Sequence, residues 1–222
     1  MLTKIVKIFS ELSRKRRSII FKDYMQPNEN NRILDLGSED GSHIAQFIPF
    51  RKEVYIADID EKLLEKGRKK FGFKTILINE SGRLPFDDKF FDIVYCNSVI
   101  EHVGVQKSKR WDIVNGEEFS RKSFEGQQKF ANEIKRVSKK YFVQTPNKYF
   151  FIESHTWLPL IQFLPRRLQV SFIKWLNKWW IKKTTPDWHL LNANQLQELF
   201  PDSKIVKEKI GFICKSLIAI KN

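Results

Sequence analysis

Short apolar runs alternate along the chain with stretches whose apolar residues recur every three or four positions. This rhythm predicts strand–helix units stacked into a doubly wound α/β sheet. Ile33, Leu34 and Leu36 make a first buried strand, VYIADID a second, Thr75 to Ile78 a third, FDIVYC from Phe91 to Cys96 a fourth and KYFVQTP a fifth. DEKLLEKGRKKF and QQKFANEIKRVSKK carry helical periodicity between them, and GSHIAQFI, directly after the first strand, reads as a further helix. NANQLQELF opens on Asn192, a residue type suited to capping a helix, and SKIVKEKI and FICKSLIAIK supply two closing strands.

The chemistry concentrates first in RILDLGSEDG, from Arg32 to Gly41. Asp35 sits at the carboxyl end of the first strand, and Gly37 and Gly41 bracket a turn that lets backbone approach a ligand. Asp58 ends the second strand about 20 residues later, where a carboxylate can accept from both hydroxyls of a ribose. The turn carries Glu39 and Asp40 and lacks the GxGxxG spacing of dinucleotide folds. Two carboxylates beside a pyrophosphate would cost several kcal/mol at a few ångströms, roughly, whereas beside a sulfonium and an ammonium they are neutral or helpful.

With Asp35, Gly37 and Gly41 in that pattern, the chain resembles the class I S-adenosylmethionine-dependent methyltransferases. The resemblance implies a Rossmann-like, seven-stranded, mostly parallel sheet ending in an antiparallel hairpin, with S-adenosyl-L-methionine as cofactor. It assigns Asp35, Gly37, Ser38 and Gly41 to the loop side of that cofactor and Asp58 with Ile59 to its ribose side. Glu80, four residues before Leu84-Pro85-Phe86, stands where the family commonly places an acid for the adenine amino group, followed by Ser81. Asn97 and Ser98, delivered by the fourth strand, face the methionine part in this reading, and as plain structure they cap the next helix. Glu39 departs from the pattern, because the family usually has a glycine there.

Ile100-Glu101-His102-Val103 match a Glu-His pair found after the fourth strand in many small-molecule methyltransferases of this class. His102 is the catalytic candidate, as a base toward an acceptor hydroxyl or as the group that orients it; its structural alternative is a packed or capping residue. QTPNKYFFIESHTWLP, from Gln144 to Pro159, resembles a subgroup associated with bacterial surface-polysaccharide and other glycan pathways, through Thr145-Pro146-Asn147, Tyr149, Glu153 and His155. Residues just beyond the fifth strand face the cleft of an open α/β sheet. There Asn147 and Tyr149 suit a polyol and Glu153 or His155 a base, while each suits equally the satisfaction of buried backbone. His189 is a further, lesser candidate.

Composition narrows the class. The 222 residues fit one α/β unit, here divided into a basic amphipathic segment over 1–30 and a methyltransferase domain over 31–222, with an acceptor-site lid over 147–186. Two cysteines, Cys96 and Cys214, argue for a reducing compartment, and no Cys/His cluster has metal-ligand spacing. MLTKIVKIF is too short and too interrupted by lysine for a signal peptide, and no run suits a spanning helix, so the expected location is cytoplasmic. Gly104 to Gly126, rich in charge, reads as a mobile segment over the acceptor site.

The net charge of +14 gathers in two places. One is the N-terminus, where Leu2, Ile5, Val6, Ile8, Phe9 and Leu12 share a helical face ahead of Arg14 to Arg17; the other is Thr156 to Lys183, with Trp157, Trp175, Trp179 and Trp180 among arginines and lysines. Both suit the surface of an anionic membrane, and both equally suit packing against a sheet with a solvated basic face. The function expected is methyl transfer to a small-molecule, glycan or lipid-linked acceptor, at a hydroxyl. An RNA methyltransferase is the alternative among enzymes, although CNSVIEH lacks the motifs of base methylation; a non-catalytic binding protein that kept the fold is the other.

Overall fold

The central apolar runs lack the alternation of half-exposed strands because sheet positions covered on both faces must be apolar throughout. In the computed structural model, which describes residues 2–37, 39–79 and 83–222, with side chains for all of these except 2–10 and 107, they form the middle of one sheet. Its strands are β1 (Ile33–Leu36), β2 (Val54–Asp58), β3 (Lys74–Leu77), β4 (Phe91–Asn97), β5 (Ser138–Pro146), β6 (Lys204–Ile210) and β7 (Ile213–Lys221). The spatial order is β3-β2-β1-β4-β5-β7-β6. The first five strands are parallel, and β7 joins β5 antiparallel and forms the closing hairpin with β6. The doubly wound, seven-stranded Rossmann-like sheet expected from the sequence is therefore present. Its order reverses between β1 and β4, and in such sheets the crevice outside the carboxyl ends of the strands at that reversal is where ligands bind.

Helices α1 (Leu2–Met25), α2 (Glu61–Phe71), α3 (Gly116–Val137), α4 (Arg166–Trp179) and α5 (Ala193–Leu199) complete the fold. Phe21, Met25, Ile44, Phe47, Leu64 and Phe73 cover one face of the sheet, over Ile33, Ile56, Ile93, Tyr95 and Phe142. The other face is covered by α3 and α5 through Phe130, Ala131, Ile134, Val137, Leu196 and Leu199. Three of the helix starts carry a side-chain cap, and α4 has none. Asp60 accepts from the N–H of Lys62 and Leu63, Asn115 from Glu118, and Asn192 forms a reciprocal capping box with Gln195.

Two local expectations are corrected. GSHIAQFI is not a regular helix: after Gly41 the chain makes one 3-10 turn at Ile44–Gln46. Ile44, Phe47 and Ile48 are all drawn down into the core, and Pro49 biases Ile48 away from helical backbone and closes the segment. The supposed mobile segment from Gly104 to Gly126 is ordered over its second half, because α3 begins at Gly116 with the Asn115 cap. Gly126 lies against Gly104, so close that a Cβ on Gly126 would meet the Gly104 Cα at 2.2 Å.

The basic N-terminal helix is part of the domain's packing from Ser13 onward. Phe21 is fully buried, with ring centroids 5.0 Å from Tyr95 and 5.5 Å from Phe47 and Phe142; such a ring contributes about 3 kcal/mol or more. Leu12 is 59% exposed, and the side chains of Leu2, Ile5, Val6, Ile8 and Phe9 lie outside the described residues. In the 147–186 region, α4 uses Ile173 and Leu176 in a small separate core with Ile161, Trp188 and Leu190. Its outer side exposes Leu168, Phe172, Trp175 and Trp179 in one stripe. Among the described residues no helix is long and apolar enough to cross a membrane.

His43 links this packing to pH. Its ring meets the Tyr95 hydroxyl at 3.2 Å, and burial, then the charges of Arg17 and Arg14, push its pKa from 6.5 down to about 4. Between those values the unfolded chain binds a proton that the folded chain does not, so stability falls as pH drops through this window and levels off below it. Thermal denaturation across pH 7 to 4 is expected to show a loss of at most about 3 kcal/mol from this group, and His43→Gln is expected to flatten that part of the profile. An unchanged profile in the variant would assign the acid sensitivity elsewhere.

Candidate active site

The glycine turn is held by backbone geometry and by one carboxylate. Gly37 has φ +73° and Gly41 φ +69°, the left-handed region open to glycine. A Cβ on Gly37 would stand 2.4 Å from a Val99 methyl, and one on Gly41 2.8 Å from the Phe73 ring. Glu39 also has a left-handed φ, +54°, which is the physical reason a glycine suits its position. Asp58, at the end of β2, accepts from the N–H of Glu39 at 2.9 Å, Ile59 at 2.7 Å and Asp60 at 3.1 Å. The loop is thus tied to the neighbouring strand through a half-buried carboxylate that has acceptor capacity beyond these three bonds.

The other loop acids divide by environment. Asp35 is buried on β1, and burial together with the Asp58 charge raises its pKa well above the carboxylate range. Asp40 is buried too and meets Lys66 at 2.6 Å. Although its burial works against ionisation, the hydrogen bonds from Lys66 and Ser42 prevail and hold its pKa at about 2. The negative character of the loop toward solvent therefore rests on Glu39 and not on both acids. These features fit an S-adenosylmethionine nucleoside: an open carboxylate at a strand end, Ile59 exposed beside it and a turn without lysine or arginine.

At the ends of β4 and β5 the sequence reading missed a residue. Arg17 of α1 is buried and donates to Asn97 Oδ1 and to Gln144 Oε1, both at 2.7 Å, with Glu208 at 3.8 Å. Ser98, at φ +58°, donates from its hydroxyl to Gln144 at 2.9 Å and makes no cap to the following turn. Asn97 is thereby oriented by a helix that the sequence placed outside the methyltransferase domain, and only the SRKRR run hinted at it.

Next to this lies a histidine–carboxylate cluster. The 3-10 turn Ile100–His102, which follows β4, presents Glu101 and His102, while the chain beyond β5 presents Glu153 and His155. The two imidazoles are 4.7 Å apart and perpendicular, and His155 stacks on Trp188 at 5.5 Å. His155 Nδ1 meets Glu153 at 2.5 Å and His102 Nδ1 meets Asp187 at 3.3 Å. Glu153 also accepts from the N–H of His155 and Thr156, and Arg110 holds Asp187 at 3.1 Å. Burial disfavours the charged ring of His102, yet the hydrogen bond to Asp187 and the charges of Glu101, Asp187 and Glu153 outweigh it and raise its pKa. Burial likewise opposes ionisation of Glu153 and Asp187, but their histidine partners keep both pKa values low.

Trp188, which stacks on His155, also borders a groove lined by Phe119, Lys148, Gln162, Arg166 and His189, and no residue of the cluster itself lines that groove. Among the described residues, Gln162 Oε1 and Trp188 Nε1 are buried without a hydrogen-bond partner. Of the remaining candidates, Ser38, Glu80 and Ser81 lie outside the described residues. Asn147 donates to the carbonyl of Cys214 and its own carbonyl accepts from the N–H of Tyr149, so it braces the lid's start. His189 contacts Gln127 at 3.1 Å. Asp187 was not singled out from sequence, and no local spacing marks it.

A family profile described as a methyltransferase domain matches residues 34–141, from β1 into β5. No curated protein matches the chain. Among solved structures it is similar to an S-adenosylmethionine-dependent methyltransferase from Clostridium acetobutylicum, with TM-score 0.58 and 11% identity over 99% of this chain and 97% of that one. It is similar also to magnesium protoporphyrin IX methyltransferase from Synechocystis with bound SAH, with TM-score 0.54 and 11% identity over 100% and 88%. The YcgJ protein of Bacillus subtilis gives 0.55 and 15% over 90% and 71%. At such identities these likenesses concern the fold. The profile match adds the chemistry: residues 34–141, just under half of the chain, are similar to a methyltransferase domain. The region that carries this assignment holds the glycine turn, Asp58 and the Glu101-His102 pair.

The turn's geometry sets an expected outcome. Gly37→Ala places a methyl into Val99 at a left-handed φ and is expected to lower stability by about 2–4 kcal/mol in urea denaturation. Glu39→Gly is expected to stay within about 1 kcal/mol of the parent, since relief of the left-handed strain offsets the added freedom of the unfolded chain. Equal effects of the two replacements would contradict this account of the loop.

Proposed function

We propose that the protein transfers a methyl group to a hydroxyl of a glycan, free or lipid-linked. The observation that carries the reading is the groove beside the histidine cluster. It is lined by Glu117, Ser120, Lys148, Gln162, Arg166 and His189, donors and acceptors of the kind suited to a polyol.

S-adenosylmethionine supplies an activated methyl for in-line displacement. The residues that would hold it are Asp58 and Ile59 at the nucleoside, the Gly37–Gly41 turn at the methionine arm and Asn97 with Arg17 at the end of β4; the guanidinium suits the methionyl carboxylate. The chain's own task is to align an acceptor oxygen and exclude water, for which rigid placement supplies much of the acceleration. His102 and His155, each fixed by a carboxylate at Nδ1, stand at the acceptor side of this edge and orient the reacting hydroxyl.

The exposed stripe of Leu168, Phe172, Trp175 and Trp179 on α4, flanked by Arg167, Lys174 and Lys178, supports docking at an anionic membrane. In this reading the enzyme works peripherally, at the inner face of the membrane. Extracts incubated with enzyme and methyl-labelled cofactor are expected to place label, stable to mild base as an ether is, in glycan or lipid-linked glycan fractions. Label confined to RNA would contradict the proposal. His102→Ala is expected to reduce transfer by about 100-fold or more while SAH binding persists.

A further inference from the structure

We propose that Glu101, His102 and His155 hold one divalent cation of the zinc, iron or manganese type. One donor atom from each residue lies within 4.8 Å of the other two. Donors about 2.0–2.2 Å from a shared ion stand roughly 3–3.5 Å apart. The approach needed is modest, and His102, whose side chain is 35% exposed, has room to make it.

Glu101 supplies the argument independent of proximity. It is fully buried, and its Oε2 accepts from the Thr145 hydroxyl at 3.1 Å. Among the described residues its Oε1 has no hydrogen-bond partner, and His155 Nε2 stands at 3.9 Å. A buried carboxylate oxygen left unpaired is costly, and it is aimed at the second nitrogen of a histidine whose first is already taken.

The surroundings repeat the arrangement that orients metal-binding histidines. Glu153 holds Nδ1 of His155 and Asp187 holds Nδ1 of His102, which leaves Nε2 of each ring for a common ion. Arg110 in turn fixes Asp187. Two imidazoles and one carboxylate form a mixed nitrogen–oxygen set that favours borderline transition ions over magnesium or calcium, which prefer all-oxygen shells. Three protein ligands leave positions open. Filling one of them with the acceptor hydroxyl would fix its oxygen at the end of β4, a role that rests on the function proposed above, whereas the site itself does not.

The test uses the full chain after treatment with a chelator. Zinc added in competition with a chromophoric chelator is expected to bind at one ion per chain, and cobalt(II) to give visible bands without a thiolate charge-transfer band in the near ultraviolet. Glu101→Gln, His102→Ala and His155→Ala are expected to weaken zinc binding by about 100-fold or more, and Asp187→Asn by about 10–100-fold, with SAH affinity within about twofold of the parent as proof of folding. Absence of uptake by the parent chain, uptake indifferent to the ligand replacements or a thiolate band from Cys96 or Cys214 would each overturn the site. Uptake accompanied by methyl transfer that metal removal does not change would support the site and remove only the hydroxyl-orienting role.

Discussion

The Asp58 carboxylate is the interaction on which the rest of the crevice depends. By accepting from the N–H of Glu39, Ile59 and Asp60, it fixes the turn after β1 to the end of β2 and sets the floor for a nucleoside. The same turn brings Gly37 against Val99, two residues before Glu101. The cofactor loop thus packs directly against the residue that leads into the turn carrying Glu101 and His102.

Charge is arranged locally within a chain of net charge +14. Lys66 neutralises Asp40, Arg17 is buried between Asn97 and Gln144, and Arg110 holds Asp187. Each cation fixes a polar side chain at the carboxyl edge of the sheet. The remaining excess faces outward, with part of it beside the aromatic stripe of α4. A single helix therefore serves two surfaces: Ile173 and Leu176 close the lid's own core, while Trp175 and Trp179 stay exposed.

Much of the fold was legible in the sequence because the central strands are apolar runs and α2, α3 and α5 carry their own caps, Asp60, Asn115 and Asn192. Where reading failed, tertiary contacts decided. GSHIAQFI has helical spacing, but burial of Ile44, Phe47 and Ile48 and the arrival of Pro49 leave only a single turn. The glycine turn and the Glu101-His102 pair were visible as local motifs. The convergence of Glu101 and His102 with His155 and Asp187 was not, since residues far apart in the chain meet only once the lid folds back over β5. Arg17 was hidden similarly: in a basic run, nothing local separates a buried guanidinium from a solvated one.

The central claim is that a sulfonium nucleoside lodges at the carboxyl edge between β1 and β2. A crystal structure of the chain soaked with S-adenosylhomocysteine tests it most directly. The account predicts ribose hydroxyls on the Asp58 carboxylate, the adenine beside Ile59 and the amino-acid arm passing over Gly37 toward Asn97. A crevice closed by the Glu39 side chain, with no nucleoside bound, would contradict it.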